Sequence, residues 1–310
     1  MAVAGAVSRE EFEAGLAALA ALPGSDAEGF FGPGSMLWAV GREATGFIGG
    51  GAAILLQTAH PWVAQAIADH SSAFADPIGR FHRTFRPVFA MVYGTRTQAL
   101  AQARKVRAVH EHIHGTMSET LGRFPAGSPY MADDGEALFW VQATLWRASI
   151  AVREQLQGPL TQAQKDQYHE ESKRFAALFG VPRSLLCESW AAFEARFDSI
   201  ANSDMLAVGK AGHLICDELL GNVMPGWYRA VTAALLPPKI ADAYGLKAPR
   251  DIDAIWERVA FVRRTVPPAL RYIGPYREAR YRLQGRGPGL LTQTLNRVWI
   301  GRPLLEPIAR

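Results

Sequence analysis

The sequence predicts an all-α protein, and two observations support this prediction. Apolar residues recur at intervals of three and four through most of the chain, whereas the alternation of apolar and polar residues that is typical of strands is almost absent. Residues that favour helix N-termini, such as Ser8 and the pair Asp76-Pro77, stand directly before several of these periodic segments. The chain has 310 residues, 49% of them hydrophobic, which is enough to bury a large core. No internal repeat or change in composition divides it, so we expect one domain over residues 1–310.

The N-terminal part predicts two helical segments separated by a loop. The first helix should begin after Ser8, because a Glu three residues later completes a capping box. Residues 23–36 are rich in Gly and Pro and predict the loop. Residues 50–69 predict a buried helix that is interrupted at His60-Pro61, since proline disfavours helix at the residue before it. The cluster Gly49-Gly50-Gly51 predicts a close approach to a neighbouring helix or a flat ligand.

The rest of the chain predicts a series of longer helices. Asp76-Pro77 should start one that ends at about Tyr93 before Gly94, and Asp133-Asp134 should cap a strongly apolar central helix. The helices are expected over residues 77–93, 97–121, 137–156, 161–180, 182–200 and 203–220. Shorter helices follow Pro225, and residues 284–310 are expected to be irregular.

The composition argues against several classes of protein. Two cysteines provide neither a disulfide framework nor a cysteine-based metal site. No secretory signal is visible and no apolar run approaches the ~20 residues that span a bilayer, so we expect a cytoplasmic protein without stable membrane insertion. Residues 250–310 contain 12 of the 27 arginines against five acidic residues, but apolar residues separate these arginines. We therefore expect a partly packed, solvated face there and no binding of nucleic acid.

Histidines are concentrated in one part of the chain, since six of the eight lie between positions 60 and 114. On the predicted helix 97–121, His110 and His114 are four residues apart and share a face, and His110 lies beside the apolar positions. A neutral imidazole in such a place can ligate a haem iron or another metal. A hydrogen-bonded core histidine is the commoner alternative.

The preceding helix carries a polar stripe at i, i+3 and i+4, formed by Arg80, Arg83 and Thr84. If the stripe faces inward, its guanidinium groups need anions such as carboxylates, phosphates or haem propionates. If it faces water, it is a charged surface. Periodicity does not decide between these alternatives.

A separate pattern suggests a different metal centre. Glu111-x-x-His114 has the Glu-x-x-His spacing of di-iron carboxylate bundles. Such a centre needs a second copy of the pattern, and the chain offers only Asp166-x-x-His169. A di-iron oxidase is therefore a weaker alternative.

Several short motifs together resemble a known family. They are His60-Pro61-x-Val63-Ala64, Asp69-His70-Ser71, Asp76-Pro77-x-Gly79-Arg80, Arg83-Thr84, the run Val106-Arg107-Ala108-Val109-His110, the segment Leu138 to Leu145, and Phe179-Gly180-Val181-Pro182. In this order they resemble the MpaB oxygenase family, which includes the mycophenolic-acid-pathway oxygenase and, more distantly, the latex-clearing proteins. The resemblance covers about residues 35–240 and leaves an Arg-rich C-terminal addition at about 250–310.

The resemblance implies a multi-helix, haem-oxygenase-like bundle similar to the latex-clearing proteins, with haem b as its iron cofactor. It implies a small hydrophobic substrate, such as an isoprenoid alkene, whose C=C bond is cleaved with dioxygen. By this resemblance His110 is the iron ligand, and the catalytic residues are Arg80, Arg83 and Thr84. The residues expected to contact the cofactor are His110, Arg80, His114 and His60.

The sequence has no clear counterpart of the family's catalytic glutamate, since Asp69 and Asp76 are only nearby carboxylates. It also departs from the family pattern at two positions. Arg83 replaces a lysine, and arginine stays protonated, so it is a poor iron ligand. Gln142 stands where many members are expected to have a histidine. This second departure keeps open the alternative of a non-catalytic protein that binds haem or lipid.

Overall fold

The computed structural model describes residues 5–70, 76–221 and 224–305. Within these ranges sixteen α-helices and one two-stranded sheet confirm the all-α prediction. The first ten helices are α1 (Arg9–Ala20), α2 (Met36–Gly41), α3 (Gly50–Thr58), α4 (Pro61–His70), α5 (Pro77–Tyr93), α6 (Arg96–His110), α7 (Gly135–Gln157), α8 (Gln162–Leu178), α9 (Trp190–Asn202) and α10 (Lys210–Leu220). The remaining six are α11 (Gly226–Leu235), α12 (Pro238–Ala243), α13 (Ile252–Thr265), α14 (Pro268–Arg271), α15 (Gly274–Leu283) and α16 (Leu290–Ile300).

The predicted capping residues begin the helices as expected. Ser8 accepts a hydrogen bond from the backbone N–H of Glu11, Asp76 accepts one from Gly79, and Asp134 accepts one from Ala137. Each of these bonds satisfies an N–H that the first turn of a helix leaves without a partner. The interruption at His60-Pro61 is also confirmed, because α3 ends at Thr58 and α4 begins at Pro61.

The prediction of one helix over 97–121 is wrong. Helix α6 ends at His110, and after a short turn the strand β1 (His114–Thr116) pairs antiparallel with β2 (Pro129–Met131). A Cβ atom on Gly115 would lie 2.7 Å from the hydroxyl oxygen of Tyr130, so this pairing requires a residue without a side chain. His110 and His114 consequently do not share a helix face.

Two further boundaries differ from the prediction. Helix α10 begins at Lys210 and not at position 203, because Ser203 caps a turn and the N–H of Ala207 donates to the carbonyl of Ala59. Position 182 is followed by a 3₁₀ helix, Arg183–Leu185, and α9 begins only at Trp190. The segment expected to be irregular contains α16. Its buried positions Thr292 and Asn296 are polar and its aliphatic Leu290 and Val298 are exposed, so the apolar periodicity of a packed helix is broken, although Ile300 is buried.

Helix α7 lies at the centre of the core, as its apolar sequence predicted. It packs against α3 and the 3₁₀ helix Ala44–Gly49, and the indole N–H of Trp140 donates to the carbonyl of Leu56. The glycine cluster permits these contacts. A Cβ on Gly49 would lie 3.0 Å from Val152 of α7, and one on Gly51 would lie 2.4 Å from the hydroxyl of Thr232 of α11.

Arginine side chains attach the C-terminal helices to the rest of the fold. Arg86 of α5 donates twice to the carbonyl of Ile300, and Arg282 donates to the carbonyls of Ala27 and Tyr93. Arg263 of α13 instead forms an ion pair, in which its guanidinium donates to both carboxylate oxygens of the buried Glu43, at 2.6 and 2.8 Å. None of the helices in the described ranges is both long and apolar enough to cross a membrane.

Candidate functional site

The polar stripe on α5 is divided between the interior and the surface. Arg80 is half-buried, whereas Arg83 and Thr84 are exposed and Arg83 pairs with Asp76 at 3.1 Å. Burial lowers the pKa of the Arg80 guanidinium, and the carboxylate of Glu218 acts in the opposite direction. Arg80 is therefore the only member of the stripe that is placed to meet a partly buried anion.

His110 lies at the end of α6, where its side chain is 25% exposed. Its Nδ1 atom is 3.8 Å from the Asp133 carboxylate, which is also 3.2 Å from the guanidinium of Arg107. Burial, together with the charge of Arg107, lowers the pKa of His110 to about 4. The imidazole is therefore neutral at pH 7, the form in which histidine binds metals.

The ends of α5 and α6 bring Arg80 and His110 to the same side of the fold. Only Gly94 and Thr95 connect the two helices, which pack against each other as an antiparallel pair. Arg80 lies in the first turn of α5 and His110 is the last residue of α6. The half-buried cation and the neutral imidazole therefore lie at the same end of this pair.

His114 does not accompany His110. It is exposed on β1, and its carbonyl accepts a hydrogen bond from the His70 ring at 3.1 Å. Since α6 ends at His110, Glu111 and His114 do not form a helical Glu-x-x-His pattern, and Glu111 is paired with Arg9 at 2.9 Å. The structural basis of the di-iron alternative is therefore wrong.

Asp166 and His169, the possible second copy of the pattern, also have other partners. Asp166 accepts a hydrogen bond from the backbone N–H of Trp190, and the buried ring of His169 donates to the carbonyl of Cys187. Over the described ranges, no group of three or more His, Cys, Asp or Glu side chains is arranged to hold a metal ion.

His60 is buried at the junction of α3 and α4. Its ring packs against Phe124 and Trp62, with centroids 5.1 and 6.2 Å away, and its Nδ1 has no hydrogen-bond partner among the described residues. Burial, reinforced by the charge of Arg123, lowers its pKa to about 3. This environment is that of a neutral core histidine.

Gln142 is buried on α7, and its Oε1 atom has no hydrogen-bond partner within the described part of the chain. Because an unsatisfied buried carbonyl is costly, this atom is a candidate contact for a donor that the polypeptide does not provide. The departure from the family pattern therefore lies in the interior and not on the surface.

Sequence reasoning missed the role of Asp133 and a network around Asp69. Asp133 was expected only to cap α7, but the turn after α6 brings it to Arg107 and His110. Asp69 accepts hydrogen bonds from the hydroxyl of Tyr130 at 2.6 Å and from Gln65 at 2.9 Å. The contact of Tyr130 with Asp69 and the contacts of Asp133 depend on the β1–β2 hairpin, which has no clear strand periodicity in the sequence.

Comparison with known proteins identifies the family of this chain. The family model described as "ER-bound oxygenase mpaB/B'/Rubber oxygenase, catalytic domain" matches residues 37–267. The uncharacterized proteins Mb2261 of Mycobacterium bovis and Rv2237 of Mycobacterium tuberculosis are each 24% identical over 145 residues, which are 46% of this chain. The chain thus spans about half the length of these relatives, 54% of each. No solved structure matches. Because the family model covers most of the chain, this protein belongs to the oxygenase family of mpaB and rubber oxygenase catalytic domains.

Proposed function

We propose that this protein is an oxygenase that binds haem b through His110 and uses dioxygen to cleave a C=C bond in a small hydrophobic substrate. Membership of an oxygenase family supports the reaction class. The observation that carries the cofactor proposal is the environment of His110, a neutral and partly buried imidazole with a carboxylate 3.8 Å from its Nδ1 atom.

This environment fits a histidine that would ligate haem iron. Histidines that bind metals commonly present one ring nitrogen to the metal while the other faces a carboxylate or carbonyl. Asp133 lies on the Nδ1 side of His110, and the Nε2 atom has no hydrogen-bond partner among the described residues. Arg80, half-buried at the same end of the α5–α6 pair, fits a haem propionate.

The other proposed residues fit the cofactor less closely. Arg83 and Thr84 are exposed, so we propose them as polar groups at the outer edge of the site. His114 is exposed on β1 and His60 is enclosed by aromatic rings, so each remains a more distant proposed contact.

The chain and the cofactor would contribute different parts of the reaction. Bound haem supplies the activation of dioxygen. His110 would provide a nitrogen ligand for the iron, Asp133 would lie on the Nδ1 side of the ring, and Arg80 would neutralise a propionate. Apolar side chains of the interior would exclude water from the alkene, which gains the two oxygen atoms and yields two carbonyl groups.

The test of this proposal is haem uptake followed by absorption spectroscopy. The protein expressed with added haem should show a Soret band, which His110→Ala should reduce or shift because the nitrogen ligand is lost. The matched control is His112→Ala, two residues further on, where the ring is exposed and contacts only the carbonyl of Ala108. Protein that takes up no haem, or an unchanged spectrum in His110→Ala, would show that the assignment is wrong.

Gln142 favours a second candidate, a haem- or lipid-binding protein without turnover. A buried amide does not exchange a proton at neutral pH, so it cannot replace a histidine in acid–base chemistry. If Gln142→His gains alkene cleavage that the parent haem protein lacks, the second candidate is correct. Cleavage by the parent protein would exclude it.

A further inference from the structure

Helix α16 packs into the core through Trp299 and Ile300 at its C-terminal end, but its other buried positions are polar and several of its exposed positions are aliphatic. Thr292 and Asn296 are buried, and they contact Arg277 and Glu278 of α15, respectively. The outward positions include Leu290, which is 82% exposed, and Val298, which is 62% exposed. These polar contacts, together with Trp299 and Ile300, hold the helix in place and leave Leu290 and Val298 outside the core.

The aliphatic face of α16 continues onto neighbouring elements. The ring of His82 on α5 donates to the carbonyl of Val298 at 2.8 Å, and the exposed Ile78 lies one turn before His82. Leu291, 43% exposed, extends the face along α16, and Leu304, 38% exposed, follows its C-terminal end. We call these residues, Ile78, Leu290, Leu291, Val298 and Leu304, the α16 face.

The charge around the α16 face is positive. Residues 279–305 contain five arginines and no acidic residue. Among these arginines, Arg280, Arg286 and Arg297 are exposed, and the exposed Asp76 near Ile78 is paired with Arg83. An aliphatic face bordered by exposed arginines is the combination found in helices that lie on anionic membrane surfaces.

We propose that the α16 face docks on the anionic headgroup surface of a lipid bilayer, with its aliphatic side chains at the level of the acyl chains. The charge favours this occupant over a second copy of the chain, because a symmetric contact would bring the arginines of both copies together. The face lies almost entirely outside residues 37–267, so it does not belong to the region matched by the family model. This inference does not depend on the proposed oxygenase activity.

The experiment is sedimentation of the full chain with lipid vesicles. Vesicles of phosphatidylcholine with phosphatidylserine should bind the protein, and vesicles of phosphatidylcholine alone should bind it weakly. The double variant Leu290→Asp/Val298→Asp should lower the partition coefficient by more than about tenfold, because two carboxylates replace the aliphatic contacts. Arg297→Gln should lower it by about fivefold, since each surface arginine contributes about 1 kcal/mol.

The matched control is Phe261→Asp on α13, which is 61% exposed and lies outside the α16 face. It should bind vesicles as the parent protein does, and thermal unfolding should show that every variant is folded. Equal binding to both kinds of vesicle, or unchanged binding of the double variant, would overturn the proposal. It would also be overturned if the parent protein were a dimer that bound no vesicles and that the double variant dissociated.

Discussion

Three histidines, the buried His60 and His169 and the partly buried His110, contribute to the expected response of this chain to acid. Burial is the largest cause of the lowered pKa of each ring. A lowered pKa means that the unfolded state takes up a proton at a higher pH than the native state does. These rings therefore make their full contribution to the free energy of unfolding above pH 6.5, their ordinary pKa. That contribution is lost as the pH falls below this value.

His60 allows this effect to be measured at one residue. Because its pKa is about 3 in the native state, the free energy of unfolding should fall by about 1.4 kcal/mol per pH unit between pH 6 and 4 on its account. His60→Gln removes the titrating group, so urea unfolding should show a shallower pH dependence by that amount. The exposed His112→Gln should retain the slope of the parent protein. Equal slopes in His60→Gln and the parent would contradict the prediction.

At the scale of the element, side-chain caps predicted the starts of α1, α5 and α7, whereas the starts of α9 and α10 were placed too early. The N-terminal caps at Ser8, Asp76 and Asp134 involve residues three positions apart, so they can be recognised in the sequence. The end of α6 could not be, because it depends on the pairing of His114–Thr116 with Pro129–Met131. Helix α16 was missed because two of its three buried positions, Thr292 and Asn296, are polar.

The crossing of α3 and α11 gives a test at this scale. A methyl group at Gly51 would lie 2.4 Å from Thr232 Oγ1 and 3.1 Å from the hydroxyl of Tyr228, so Gly51→Ala must push the helices apart. We expect it to lower the free energy of unfolding by about 1–3 kcal/mol. At Gly50 the nearest atom would be 3.8 Å away, and Gly50→Ala should be neutral or stabilising by up to about 1 kcal/mol. Equal effects of the two changes in chemical denaturation would show that the crossing is not this tight.

At the scale of the whole molecule, the sequence predicted the all-α class and the family, but not how the candidate site is assembled. The predicted grouping of His110 with His114 assumed a continuous helix, and the inward orientation of Arg83 and Thr84 was open from periodicity alone. The pairing of Asp133 with Arg107 depends on a turn with no distinctive sequence. The single-domain organisation and the residue roles remain predictions.

The ion pair between Glu43 and Arg263 joins parts of the chain 220 residues apart. Arg263→Ala leaves the buried Glu43 carboxylate unpaired and should cost about 3–5 kcal/mol of unfolding free energy. The double variant Glu43→Gln/Arg263→Met, which removes both charges, should recover a substantial part of this loss. Urea denaturation of the two variants measures the difference. A double variant as unstable as Arg263→Ala would contradict the prediction.

The arginine–carbonyl contacts of the C-terminal helices have a consequence for ionic strength. Arg86 and Arg282 donate to backbone carbonyls of Ile300, Ala27 and Tyr93, which carry no net charge. Dissolved salt screens exposed charges over distances of about 10 Å at 0.1 M, but it weakens short, partly buried contacts much less. High salt should therefore release the protein from anionic lipid while leaving its C-terminal helices attached.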